Sequence, residues 1–129
     1  MEDTIFTKII KGDIPSYTLY EDDRTIAFLD IDPSLYGHTL IVTKAQVDQF
    51  IDLSDEDYSA LWRTVKKVAA HLRKTLDVER VVVKIIGTDV PHTHVHLLPF
   101  SNGDKPYHTD SSPKLTNDEF TALAEKLKL

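Results

Sequence analysis

The stretch Pro91-His92-Thr93-His94-Val95-His96-Leu97-Leu98-Pro99 sets three of the chain's six histidines at every second position inside an apolar frame. Successive side chains of a β-strand alternate between faces, so the spacing predicts that His92, His94 and His96 share one face and Thr93, Val95 and Leu97 the other. Three imidazoles would then line one wall. Imidazole is the side chain whose ordinary pKa lies nearest neutrality, and a row of three offers a neutral nucleophile beside cationic hydrogen-bond donors. That combination suits phosphate chemistry. Spacing alone leaves two rivals open: a zinc site, because His-x-His on a strand presents two ligands together, and a purely structural row.

Upstream, Gly87-Thr88-Asp89-Val90-Pro91 joins the row to residues 80–86, where Val81, Val82, Val83, Ile85 and Ile86 make both faces apolar. This predicts a strand buried on both sides, central in a sheet or at an interface. A glycine beside a phosphate site lets backbone N–H groups approach the anion, which makes Gly87 a candidate binding residue. Further upstream, Ser54 with Asp57 resembles a capping box with the shorter acid, and Tyr58, Leu61, Trp62, Val65, Val68, Ala69, Leu72 and Leu76 recur at helical spacing. A long core helix follows, with His71 on its surface. Downstream, residues 101–114 form a polar, proline-punctuated loop expected to expose Tyr107 and His108. Thr116 and Glu119 then cap a short helix through Phe120, Leu123, Ala124 and Leu127.

In the amino-terminal part, Asp3 or Thr4 caps a short helix with Ile5, Phe6, Ile9 and Ile10 on one face, stopped by Gly12 and Pro15. Residues 17–21 and 25–31 read as an antiparallel strand pair joined by Asp22-Asp23-Arg24. Residues 37–43 form another strand, with His38, Leu40 and Val42 on one face. Asp30 ends its strand just before Asp32-Pro33. By residue type it is a turn former, or an acceptor-only carboxylate for both hydroxyls of a ribose. The elements add up to an α+β fold: a mostly antiparallel sheet with one long helix and short terminal helices.

A length of 129 residues fits one domain with its own core. The absence of cysteine excludes disulfides and thiolate metal sites, and with no basic-plus-apolar leader in the sequence a cytoplasmic location is expected. No apolar run approaches the roughly 20 residues that span a bilayer, so no membrane partner is expected. A net charge of −6 disfavours nucleic acid as partner while leaving room for a small anion in a local pocket.

The run from His92 to Leu98 resembles the signature of the histidine triad family, His-φ-His-φ-His-φ-φ with φ apolar, with Thr93 a polar substitute at the first φ. The segments DTIFTKIIKGDIPS, EDDRTIAFLDIDP and GHTLIVTK resemble the family's amino-terminal half in order and spacing, so the likeness spans residues 3–100. The resemblance implies a homodimer with its sheet continued across the interface. It implies a purine nucleotide substrate, such as an AMP derivative, opened at the α-phosphate. His94 matches the nucleophile, His92 the residue whose carbonyl holds the proton on the nucleophile's Nδ1, and His96 the group that stabilises phosphate charge and helps the leaving group depart. His38 matches a fourth histidine on the phosphate side, Asp30 the ribose ligand, and Ile5, Phe6, Ile9 and Phe28 the apolar sandwich around the base.

The chain also departs from the pattern. Better-known branches carry an Asn and a longer glycine-rich segment before the triad, where this chain has Thr88, Asp89 and a shortened loop; a carboxylate at Asp89 would repel a phosphate unless it points away or pairs with an imidazolium. Many members carry Cys-x-x-Cys at the positions of Thr4 and Thr7 and a histidine near Gln46, a distal zinc site completed by the first triad histidine. None of those three ligands is present, so neither a metal nor another cofactor is expected. Two rival functions remain: a nucleotide-binding regulatory or scaffold protein with incidental turnover, and a hydrolase using the histidines as metal ligands.

Overall fold

The computed structural model describes residues 2–101 and 113–129. Its elements, in chain order, are α1 (Ile5–Ile10), β1 (Thr18–Glu21), β2 (Thr25–Leu29), β3 (Thr39–Thr43), α2 (Asp55–Thr75), β4 (Arg80–Lys84), β5 (His94–Phe100) and α3 (Asn117–Leu127), with a single 3-10 turn at Phe50–Asp52. The five strands form one antiparallel sheet in the order β1-β2-β3-β5-β4. The α+β expectation holds. The loop carrying Tyr107 and His108 lies outside the described residues.

Strand alternation gives the sheet two different faces. Thr25, Ala27 and Leu29 of β2, Thr39, Ile41 and Thr43 of β3, and Val95 and Leu97 of β5 point to one side. There Leu61, Val65, Val68 and Leu72 of α2 pack on them together with Phe120, Leu123 and Leu127 of α3. This is the main core. A buried hydroxyl pair, Thr25 Oγ1 to Thr64 Oγ1 at 2.7 Å, crosses from sheet to helix inside it and satisfies both groups.

Of the two candidates at α1, Thr4 is the cap, and it closes a reciprocal box with Thr7 that the sequence did not suggest; Thr116 with Glu119 closes the expected box at α3. At α2 only half the box forms. Ser54 accepts from the Asp57 N–H, but the Asp57 carboxylate is taken by Arg24 at 2.7 Å, so the acid ties the β1–β2 turn to the helix start instead of capping it. Tyr58, expected in the core, is 45 % exposed. His71 is half-buried rather than on the surface, and its Nε2 has no hydrogen-bond partner among the described residues.

The doubly apolar stretch is shorter and placed differently than the sequence suggests. It stops at Lys84, and β4 pairs only with β5, which makes it an edge strand with Val83 40 % and Ile86 51 % exposed. Among the described residues it is thus an edge strand and not a central one.

Gly37 fixes the entry to β3. Its φ of +87° is the left-handed region, and a Cβ there would stand 2.6 Å from Leu76 Cδ1. Gly12 also has a positive φ, +83°, but faces open space. Gly37→Ala is thus expected to cost about 2–4 kcal/mol through strain and overpacking combined, and Gly12→Ala about 1 kcal/mol. Equal denaturant midpoints for the two variants would contradict this packing of β3 against the end of α2.

Candidate active site

The face of the sheet that α2 leaves open carries the candidate residues. Pairing sets His94 beside Val42 and His96 beside Leu40, with Lys84 of β4 on the other flank of His96. Phe6, Ile26, Phe28, Leu40 and Val42 form a second apolar cluster on this side. Helix α1 closes it, because Phe6 meets the His94 ring nearly edge-on at 4.8 Å and Phe28 at 5.9 Å. A helix of six residues is too short to persist alone, so this packing and the Thr4 cap hold it.

A cavity of about 250 Å³ opens between α1 and the sheet. Ile5, Phe6, Ile9 and Phe28 supply its apolar wall, extended by Ile14, Pro15, Leu40 and Val90, and Asp30, Asp89, His94 and His96 supply its polar end. Eight of the residues picked from the sequence thus meet in one place. His38 is buried behind the cavity against His96, while Gly87 stands outside the lining.

His92 does not share the wall with the other two. Strand β5 begins only at His94, and the His92 ring is fully buried. The backbone explains the departure: Thr93 sends both its N–H and its hydroxyl to the Val47 carbonyl, at 2.7 Å each, which bends the chain off the ladder toward the segment after β3. The polar residue at the first φ position therefore has its own partner.

Hydrogen-bond polarity fixes each ring. A carbonyl only accepts, so the 2.7 Å bond to the His92 carbonyl puts a proton on His94 Nδ1 and leaves the Nε2 lone pair free. The Ser34 N–H donates to His38 Nδ1 at 3.0 Å, so His38 carries its proton on Nε2 and donates to His96 Nδ1 at 2.9 Å. His96 in turn must carry its proton on Nε2. His92 donates from Nε2 to the Thr43 carbonyl at 2.6 Å and accepts at Nδ1 from the Thr4 hydroxyl at 2.9 Å.

Burial works against the cationic donors that the sequence suggests. Burial, then neighbouring His96 and Lys84, push His38 down to about 3. Burial, His94 and Lys84 push His96 down to about 4, against the opposing pull of Asp89. Burial also lowers His92. These rings are neutral at neutral pH. Burial raises Asp30, whose Oδ1 accepts from the Asp32 N–H at 2.9 Å while Oδ2 lies 3.5 Å from His38 Nε2.

Among the described residues, Asp30, His38 and His96 offer the ligand atoms close enough to share a cation. A metal on His38 Nε2 would need the proton on Nδ1, where the Ser34 N–H already points. The set fits a metal poorly. The distal zinc set fits no better, because Thr4, Thr7 and Gln46 offer neutral hydroxyl and amide oxygens already engaged with one another, and His92 Nδ1 is taken by Thr4.

Ser34, Thr43 and Lys84 were missed from the sequence. The first two act through backbone groups and leave no side-chain signal. Lys84 is recoverable in principle, since it alternates with Val82 on the face that meets His96 and Leu98.

The HIT-domain family model matches residues 11–103. An uncharacterised HIT-like protein of Methanocaldococcus jannaschii is 38% identical over 104 residues, covering 78% of this chain and 81% of that one. The adenosine 5′-monophosphoramidase of Schizosaccharomyces pombe is 34% identical over 125 residues, covering 95% and 94%. The crystal structure of a HIT-like protein of Bartonella henselae superposes with a TM-score of 0.87 at 28% identity, over 98% of this chain and 94% of that one. With the triad, the neighbouring fourth histidine and the sheet all in place, the chain belongs to the histidine triad family.

Proposed function

We propose that this chain hydrolyses or transfers at the α-phosphate of nucleoside 5′-phosphate derivatives, AMP derivatives foremost, through a nucleotidyl-histidine on His94. The observation that carries the reading is the 2.7 Å bond from His94 Nδ1–H to the His92 carbonyl, which leaves the Nε2 lone pair on a ring that lines the cavity. Ile5, Phe6, Ile9 and Phe28 take the base between apolar surfaces, and Asp30 accepts from the ribose hydroxyls. Such a base pocket has few polar groups to read base edges, so it grips purines by contact area more than by pattern.

In the first step His94 Nε2 attacks phosphorus, a P–N bond forms, and the bond to the leaving group breaks with its electron pair. His96 presents Nε2–H to the departing atom. The phosphate's negative charge opposes the effects of burial and Lys84 there and favours the protonated ring when proton transfer is needed. Water then opens the P–N bond, releasing the nucleoside monophosphate and restoring His94. The charged groups lining the cavity are Asp30 and Asp89, both carboxylates, which favours an amine leaving group over a polyphosphate. The name of the fission yeast relative, a monophosphoramidase, points the same way. We further read the protein as a cytosolic homodimer joined along the exposed β4 edge.

A panel of adenosine phosphoramidates and dinucleoside polyphosphates tests the reading, with turnover of the phosphoramidates expected. His94→Ala should lower turnover on the order of 10³-fold with AMP affinity largely kept, whereas Asp30→Ala should weaken AMP binding more than it slows the bound-state reaction. Near-normal turnover in His94→Ala would defeat the assignment, and an unchanged AMP affinity in Asp30→Ala would remove that residue from the site.

The neutral buried histidines also set a pH dependence of stability. A histidine with folded pKa near 3, as at His38, against 6.5 unfolded, stabilises fully above 6.5 and loses that contribution as pH falls, because the unfolded chain then binds the proton first. For His38 alone the loss from pH 7.5 to 5 is about 2 kcal/mol, and His96 adds in the same sense. Asp30, shifted up, acts in the opposite sense at more acidic pH. Denaturant unfolding should therefore show stability falling from pH 7.5 to 5, less steeply in His38→Gln. Equal slopes for the two proteins would contradict a neutral His38.

A further inference from the structure

The first triad histidine is joined to the amino-terminal helix by a chain of hydrogen bonds whose direction can be followed atom by atom. Thr7 Oγ1 donates to Gln46 Oε1 at 2.7 Å, and Thr7 Oγ1 accepts from the Thr4 N–H at 3.3 Å. The Thr4 hydroxyl accepts from the Thr7 N–H at 3.1 Å and is left to donate to His92 Nδ1, 2.9 Å away. The other side of the His92 ring is held by the Thr43 carbonyl. His92 is 0 % and Thr4 9 % exposed, so water does not readily replace these partners.

The His92 ring is thus clamped from two directions, and its own backbone carbonyl is the group that holds the proton on His94 Nδ1. We propose that Thr4, steadied by Thr7 and Gln46, is a positioning residue for His94: it locks the His92 ring and so fixes the carbonyl that keeps the His94 Nε2 lone pair free. The proposal rests on reading His94 as the nucleophile. Its chemistry is that of a neutral hydrogen-bonded strut standing where three converging side chains of other identity would hold a cation. The same residue caps α1, which carries Phe6, so one hydroxyl couples the wall of the base pocket to the orientation of the reacting ring.

The test compares Thr4→Val with Thr4→Ser in the full-length chain, using long-range proton–nitrogen NMR of the imidazoles and single-turnover kinetics with an adenosine phosphoramidate. In the parent protein His92 should show a proton on Nε2 alone and His94 a proton on Nδ1 alone. Thr4→Val should leave the His92 proton on Nε2, where the Thr43 carbonyl holds it, but lose the single tautomer at His94 and slow the single-turnover rate roughly tenfold to a hundredfold, the range for a buried acceptor left unpaired. Thr4→Ser should restore the His94 tautomer and the rate. Where Thr4→Val does not fold, Thr4→Asp serves, since aspartate caps a helix well but cannot donate; His92 should then carry protons on both nitrogens, with slowed turnover. A folded Thr4→Val or Thr4→Asp protein in which His94 keeps its single tautomer and the parent rate would overturn the proposal. If the parent protein formed no nucleotidyl-His94, the nucleophile assignment would fall, while the two tautomers would still decide whether the strut exists.

Discussion

The bond between the His94 Nδ1–H and the His92 carbonyl is the constraint around which the molecule is arranged. A free imidazole distributes its proton between two nitrogens, and only one distribution leaves Nε2 able to attack phosphorus. A residue two positions away in a regular strand could not present its carbonyl this way, because the ladder would claim it. Here the chain leaves the ladder just before β5, with Thr93 bonded to Val47, and the His92 carbonyl at 2.7 Å becomes available to the ring. On the proposed reading, this irregularity is what serves the chemistry.

The two faces of the sheet divide the labour. Helices α2 and α3 cover one face with apolar side chains, which makes β2, β3 and β5 a rigid platform. The other face carries the short helix α1 and retains, among the described residues, a cavity with apolar walls and a polar end. Burial at that polar end does two things at once: it keeps His38, His92 and His96 neutral and it strengthens their hydrogen bonds. Ser34 at one end of the His38–His96 pair sets the direction of the whole relay, so His96 Nε2–H is the one donor the pair leaves uncommitted.

Much of this was legible in the sequence. The alternating histidines, the helix periodicity from Tyr58 to Leu76 and the Thr116 cap were read from local pattern, because each depends on neighbours within a few residues, and the first cap was narrowed to Asp3 or Thr4. Asp30, Phe6 and Phe28 were picked by resemblance, and the fold brings them to one cavity with His94. What stayed hidden depends on contacts distant in sequence. The Asp57 carboxylate is diverted by Arg24, 33 residues away, and the His92 ring is held by Thr4 from 88 residues away. Residues 80–86 read as doubly buried because apolar composition does not say what covers a strand, whereas the sheet order places β4, residues 80–84, at the edge.

The central claim is that His94 becomes covalently bound to the nucleotide. A phosphorus–nitrogen bond at histidine is stable in alkali and labile in acid, so turnover of an α-phosphate-labelled adenosine phosphoramidate can be quenched at high pH and the protein digested. The account predicts label on the peptide containing residues 92–96, lost on brief acid treatment and absent from His94→Ala. Active enzyme that shows turnover under these conditions with no label on that peptide would contradict it.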